Sequence, residues 1–276
     1  MLITHYITLL RPSNFLITVA SVFVSCLLAG GRIEQTSAMI LASLAAGLIG
    51  AGGMVINDIF DVEIDRINKP QRPLPSGAVS AASAAFFYSL LSAVGLLLNL
   101  FLHSSAQAIA GAAVVLIFYY SYKLKSTPLF GNLLVGFLTG LAFLYGGAVV
   151  GNMDRGVIPA LFAFLINVGR EIIKDMEDVE GDAKHAAATF PIKYGIRAAS
   201  VVATLFLLAV IGATILPYLT HQYGITYLVL VMLGVNCVLA FVIFSLWRDV
   251  RPDNLHRLST ILKYDMLVGL IAIYLG

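Results

Sequence analysis

Apolar residues run through this chain in long blocks broken by short polar stretches. Nine blocks stand out: about 14–30, 36–57, 79–102, 105–121, 129–150, 156–174, 197–219, 224–247 and 257–275. Most approach the roughly 20 residues that a helix needs to cross a bilayer. The runs are too long and unbroken for a soluble bundle, and they lack the alternation of a membrane barrel. The pattern predicts an all-α, polytopic membrane protein of about nine transmembrane helices, a single membrane domain over residues 1–276.

The polar breaks carry a strong charge bias. Arg11; Arg66, Lys69 and Arg72; Lys123 and Lys125; Arg170, Lys174, Lys184, Lys193 and Arg197; and Arg248, Arg251, Arg257 and Lys263 fall at the N-terminus or in the even-numbered connections. Only Arg32 and Arg155 fall in the odd-numbered ones. The positive-inside rule then puts the N-terminus and the even-numbered loops on the cytoplasmic side of a cell membrane. Composition agrees with the pattern: 59% of residues are hydrophobic and 12% charged, against roughly 25% charged in soluble domains. With so little basic surface, membrane lipids and not nucleic acid are the expected surroundings. Cys26 and Cys237 sit in apolar runs without partners and read as packing residues.

The acidic residues are concentrated. Ten of the fifteen lie in 58–65 or 171–182. Both clusters have the form D-x-x-D-x-x-x-D: Asp58, Asp61 and Asp65, then Asp175, Asp178 and Asp182. The offset is constant at 117 residues (58 to 175, 61 to 178, 65 to 182). On one helix, positions i, i+3 and i+7 fall within roughly 60° of arc. Each triplet is therefore expected to line one helix face.

Three carboxylates in a stripe repel one another unless something positive joins them. Oxygen-only ligands suit a hard divalent cation, above all Mg²⁺, which takes one or two carboxylates and bridges to substrate phosphates. Two such stripes facing each other would hold several Mg²⁺ around a diphosphate. Carboxylates at membrane depth read by default as a functional site. Each triplet ends an apolar segment and precedes a basic loop containing proline. This suggests two weakly repeated helix-loop units, carrying the acidic motifs at 57–66 and 174–182.

The first loop, Arg66 to Gly77, holds three prolines and a glycine, which stop the helix and order a kinked connection. Ser80 is placed to cap the helix that follows. Nearby basic residues (Arg66, Lys69, Arg72, Lys125, Arg170 and Lys174) suit phosphate oxygens. No Ser-His-Asp set, cysteine nucleophile or glycine-rich phosphate loop is present, so leaving-group activation is expected rather than covalent catalysis. Diphosphate leaving an allylic carbon generates a carbocation, which needs a dry pocket with aromatic faces. Tyr120, Tyr122, Phe137, Phe143 and Tyr145 are candidate walls. Gly136-x-x-x-Gly140 and Gly147-x-x-x-Gly151 read as close helix packing.

The stretch Asn57-Asp58-x-x-Asp61-x-x-x-Asp65-Arg66, followed by Asn68-Lys69-Pro70-x-Arg72-Pro73-x-Pro75-Ser76-Gly77, closely resembles the first motif of the UbiA superfamily of intramembrane prenyltransferases. Asp175-x-x-Asp178-x-x-x-Asp182 resembles its second. Arg11-Pro12-x-Asn14 and the segment Tyr120 to Lys125 are similar to further family features. The resemblance spans nearly the whole chain. It implies nine transmembrane helices around a central cavity, Mg²⁺ as cofactor and a polyprenyl diphosphate donor. Carried over residue by residue, it makes Asp58, Asp61, Asp65, Asp175, Asp178 and Asp182 metal ligands. Asn57, Arg66, Arg72, Lys125, Arg170 and Lys174 would bind diphosphate, with either Lys123 or Lys125 in the family's basic position. Asp61, Asp178 and Lys125 would be the catalytic set. Asn14, Tyr120, Tyr122 and Tyr145 would line the prenyl and acceptor pocket.

Within the family, Gly169 to Asp182 is most similar to geranylgeranylglycerol-phosphate geranylgeranyltransferases of archaeal-type lipid synthesis. That implies a hydrophobic lipid-phosphate acceptor. Aromatic or tetrapyrrole acceptors are the alternative, since chlorophyll synthases share a similar proline-rich loop. A CDP-alcohol phosphotransferase does not fit, because Asp58 is followed by Ile59 and Asp175 by Met176. A cation-coupled transporter would explain buried carboxylates but not their company of phosphate-suited Arg and Lys.

Overall fold

The computed structural model describes residues 2–125, 127–179 and 188–276. Among the described residues the chain is helical and contains no strand. Eight helices among the described residues are long and apolar enough to cross a membrane, and a ninth crossing arises if a bent pair at the N-terminus counts as one. The nine apolar segments thus correspond to the observed helices, with one revision at the start. The first crossing is two helices, α1 (Leu2–Leu10) and α2 (Pro12–Leu28), bent by 44°. Arg11 makes the bend. It adopts a left-handed conformation (φ 50°, ψ 73°), and Pro12 then starts α2, where the missing N–H is no loss.

After a 3₁₀ turn at Ile33–Gln35, α3 runs Thr36–Phe60 and a short α4 runs Val62–Asn68. Then follow α5 (Ala81–Asn99), α6 (Ser104–Tyr119) and α7 (Phe130–Val149). The Ser80 hydroxyl accepts from the Ser83 amide at 3.1 Å, so the expected cap on α5 forms. α6 ends in a π-helical turn, Tyr120–Leu124. α8 (Asp154–Glu177) is followed, beyond the undescribed stretch, by α9 (Phe190–Tyr194) and α10 (Ile196–Leu219). α11 (Ile225–Leu230), a π turn (Val231–Asn236) and α12 (Cys237–Arg248) make one crossing. The last helix is α13 (Pro252–Leu275). The turn before it is tied by Asp249, whose carboxylate takes a bidentate pair of bonds from Arg251 (Nε to Oδ1 at 3.0 Å and Nη2 to Oδ2 at 2.7 Å). Those bonds hold the Asp249 carboxyl down at about 2.

The chain divides into two compact units. The first comprises Met1–Leu124 and Leu141–Gly156, the second Lys125–Gly140 and Val157–Gly276. In the first unit, one apolar cluster gathers Val22, Cys26, Met39, Ala42 and Tyr145. A second gathers Leu9, Ala51, Val55, Ala84 and Leu91. This second cluster also takes in Leu74 and Val79 from the proline-rich loop, so that loop is pinned at two points. The loop closes through Ser76 N to Arg72 O (3.0 Å) and Val79 N to Pro73 O (3.0 Å). The second unit is built on Val168, Ile172, Ala203, Leu207, Leu239 and Leu262.

The two glycine pairs behave differently. A Cβ on Gly136 would stand 2.5 Å from Val168, and one on Gly140 would stand 2.7 Å from the Ala160 carbonyl. These two are the expected close approach of α7 to α8. Gly147 and Gly151 are a correction. Gly151 has φ +75° in the turn after α7, and Gly147 presses on that turn at Asn152.

Candidate active site

The first acidic motif straddles a break in the helix. α3 stops at Phe60 and α4 begins at Val62, leaving Asp61 (φ −89°, ψ 0°) at the join. The expected single helix face is therefore two helix ends. The backbone ladder nevertheless continues through the join. Asp61 N bonds Asn57 O at 3.0 Å, and Asp65 N bonds Asp61 O at 2.8 Å. Asp58 and Asp65 accordingly stay on a common side, both 5% exposed.

Two guanidiniums neutralise them. Arg72 Nη1 bridges Asp65 Oδ2 at 2.6 Å and Asp58 Oδ1 at 3.2 Å, and Arg11 pairs with the same Asp58 oxygen. Like charges this close need such compensation, because burial raises the cost of each unpaired carboxylate. Asn57 Nδ2 donates to Asp61 Oδ2 at 2.9 Å. The other face of that amide, Oδ1, is buried with no hydrogen-bond partner among the described residues. The orphaned Asn57 oxygen and the carboxylates of the motif are all hard oxygen donors, the kind a hard cation takes. The same residues therefore fit Mg²⁺. Among the described residues, no three His, Cys, Asp or Glu side chains converge into a metal cage.

Arg66, assigned to diphosphate, is exposed and donates to both carboxylate oxygens of Glu63 at 2.8 Å. Asn14 is placed one helical turn past Arg11, with Nδ2 3.5 Å from Met54 Sδ. Tyr120 and Tyr122 lie in the π turn that ends α6, immediately before Lys125. Tyr122 stacks on Phe118 (6.3 Å, 18°) and tilts against Phe60 (5.8 Å). Tyr145 corrects the expectation of a pocket wall. It is 4% exposed, packed among core residues, and its hydroxyl donates to Asn99 Oδ1 at 2.8 Å.

In the second unit α8 ends at Glu177, and Asp178 N still reaches Lys174 O at 3.0 Å. Asp175 Oδ2 accepts from Asn132 Nδ2 at 2.8 Å. Arg170 and Lys174 both hold Glu171, at 2.7 and 3.0 Å, and Arg170 Nε also donates to Ser259 O at 3.1 Å. Glu177 meets His256 Nδ1 at 2.8 Å. Asp182, the last member of the second motif, lies outside the described residues.

Two residues at these stripes carry no role in the sequence reading. Arg11 was legible as the sole basic residue ahead of the first apolar run and as part of the family-like Arg11-Pro12-x-Asn14, with no partner indicated. Asn132 was legible only as an amide inside one. Both are buried or half-buried, and both bond a motif carboxylate.

Fold and site together define a multi-pass helical membrane protein whose carboxylate stripes are held by arginine and amide donors. The model of the UbiA prenyltransferase family matches residues 18–263, and the chain belongs to that family. The protein is 40% identical to digeranylgeranylglyceryl phosphate synthase of Methanopyrus kandleri over 267 residues, 97% of each chain. It is 38% identical to the synthase of the same name from Thermococcus kodakarensis, over 97% of this chain and 95% of that one. A solved structure of digeranylgeranylglyceryl phosphate synthase superposes with a TM-score of 0.87 at 34% identity, covering 100% of this chain and 98% of the other. A UbiA homologue from Archaeoglobus fulgidus, bound to DMAPP and Mg²⁺, shares the fold with a TM-score of 0.74 at 18% identity, covering 97% and 98%.

Proposed function

We propose that the protein transfers a geranylgeranyl group from its diphosphate to the sn-2 hydroxyl of geranylgeranylglyceryl phosphate, forming the second ether bond of an archaeal-type lipid. One observation carries the acceptor: the full-length identity to digeranylgeranylglyceryl phosphate synthases, 97% of both chains in the Methanopyrus case. An aromatic or tetrapyrrole acceptor has no comparable support.

In the transfer, the bond from C1 to the diphosphate oxygen breaks. The acceptor oxygen bonds C1, and its hydroxyl proton passes to solvent as the diphosphate leaves with the bonding pair. Mg²⁺, when bound, neutralises charge on the departing diphosphate. In the first unit, Asp58, Asp61 and Asp65 with the Asn57 amide oxygen would hold it. In the second, Asp175, Asp178 and Asp182 serve the same role. Arg72 and Arg66, and in the second unit Lys125, Arg170 and Lys174, donate to phosphate oxygens. Arg72 and Arg11 already occupy carboxylate oxygens that a metal would take. With those carboxylates holding Mg²⁺, the guanidiniums of Arg72 and Arg11 would be available to phosphate oxygens. Tyr120, Tyr122 and Asn14 are assigned to the pocket for the isoprenoid chains. The charge bias of the loops supports a cell-membrane protein with its N-terminus and acidic motifs cytoplasmic.

The test is a transfer assay with purified protein, Mg²⁺ and labelled geranylgeranyl diphosphate. Geranylgeranylglyceryl phosphate is run beside 4-hydroxybenzoate, dihydroxynaphthoate and chlorophyllide. Label is expected in a diether phosphate, to vanish with EDTA and to return with added Mg²⁺. Asp61→Ala and Asp178→Ala are expected to fold and to lose transfer. Label in an aromatic product overturns the acceptor, and undiminished turnover in EDTA overturns the metal.

A further inference from the structure

α13 carries an acidic residue that the transfer chemistry leaves unused. Asp265 lies 13 residues past Pro252, which at 1.5 Å per residue is about 20 Å along the helix. That is well within the span. Its side chain is 3% exposed, and neither carboxyl oxygen has a hydrogen-bond partner among the described residues.

Two registers locate it. Arg170 Nε bonds Ser259 O at 3.1 Å, and Asn167 Nδ2 contacts Met266 Sδ at 3.3 Å. α8 and α13 therefore run antiparallel, and Asp265 stands at the level of Asn167. On its other side α13 meets the π turn, where a Cβ on Gly234 would touch Val268 at 2.8 Å.

No cation on these elements is placed to pair with it. α11 and the π turn contain no charged residue. The cation of α12 is Arg248, at its far end, over the Phe244 ring at 4.3 Å. On α8, the basic residue nearest this level is Arg170, already engaged with Glu171 and the Ser259 carbonyl. Lys263, on α13 itself, is exposed, about 200° around the helix from Asp265. Leu258 and Leu262 share its helix face and Met266 follows it, while the Asn167 amide at its level is spent on the Ala163 carbonyl at 2.9 Å and the Met266 sulfur.

A charged carboxylate in such a setting carries an uncompensated desolvation cost, and the proton is the smallest partner that removes it. We propose that Asp265 is carried as a neutral carboxylic acid, a proton-bearing site inside the membrane span that a hydrophobic carbodiimide can modify. In that modification the acid adds across one C=N bond. The carboxyl oxygen bonds the central carbon and the proton goes to nitrogen. An oxygen-to-nitrogen acyl shift then gives a stable N-acylurea, with no leaving group.

The experiment treats the detergent-solubilised protein with dicyclohexylcarbodiimide and maps adducts by peptide mass spectrometry. A single adduct is expected at Asp265. A water-soluble carbodiimide with glycine ester is expected to label exposed Asp253 and to spare Asp265. Asp265→Asn should lose the adduct, keep transfer at about the wild-type rate and melt no lower than wild type, because a neutral amide replaces a neutral acid of the same shape. Absence of the adduct in folded wild-type protein overturns the proposal. So does protection of Asp265 by Na⁺ or Li⁺, which would make it an alkali-cation site. Wild-type labelling needs no variant to fold, so the inference stays testable if Asp265→Asn does not.

Discussion

Asn132 donates its side-chain amide to the Asp175 carboxylate at 2.8 Å, across 43 residues of sequence. The donor is 7% exposed and sits one turn into α7, on a segment that otherwise reads as apolar filling. An amide that orients a ligating carboxylate acts as an outer-shell partner of the metal. Asn132→Leu is expected to raise the Mg²⁺ concentration for half-maximal transfer by about 10- to 100-fold. Titration of transfer against Mg²⁺ checks this. An unchanged Mg²⁺ requirement would remove Asn132 from the site.

Arg72 differs from Arg11 in what it leaves behind. Its guanidinium serves both Asp58 and Asp65, while Arg11 serves Asp58 alone. Arg72→Ala leaves Asp58 to Arg11 and takes from Asp65 its guanidinium, a loss of roughly 2–4 kcal/mol, with Arg11→Ala nearer 1–2. Arg72→Lys keeps the charge but has a shorter reach than the guanidinium whose Nη1 meets both carboxylates, and should fall between. Thermal melts in detergent without Mg²⁺ give the order. Equal melting temperatures for the two alanine variants would contradict the bridging role.

Tyr145→Phe separates a core role from a pocket role. The phenol bonds Asn99 Oδ1 inside a packed cluster. Its removal should cost about 0.6–1.5 kcal/mol of stability, the range for one interhelical bond in a membrane protein. KM for the prenyl donor should hold. A shifted KM at unchanged stability would return Tyr145 to the pocket.

The crossings were legible because a bilayer demands long apolar runs, and the chain writes those runs plainly. Both acidic motifs were legible because carboxylates are rare elsewhere in the chain. What bends or joins was not legible. The break at Asp61 preserves the i to i−4 ladder, so three-residue spacing could not register it. Arg11 takes a left-handed backbone that no local composition demands. Gly147 and Gly151 share the spacing of a helix-packing pair yet build a turn, since only the neighbour of each glycine decides its use. The partner of Asn132 lies on another helix, and a single sequence records residues rather than encounters.

The length of α3 sets how deep the chemistry lies. Its 25 residues rise about 37 Å, while the hydrocarbon slab is about 30 Å thick. With Thr36 at the far boundary, roughly five residues overshoot into the headgroup zone. Those five begin at Ile56 and carry Asn57 and Asp58 with them. In that placement Asn57 and Asp58 would lie level with the lipid headgroups, the depth at which a hydrated ion and a diphosphate need not enter hydrocarbon. Only the greasy tails need enter the oil.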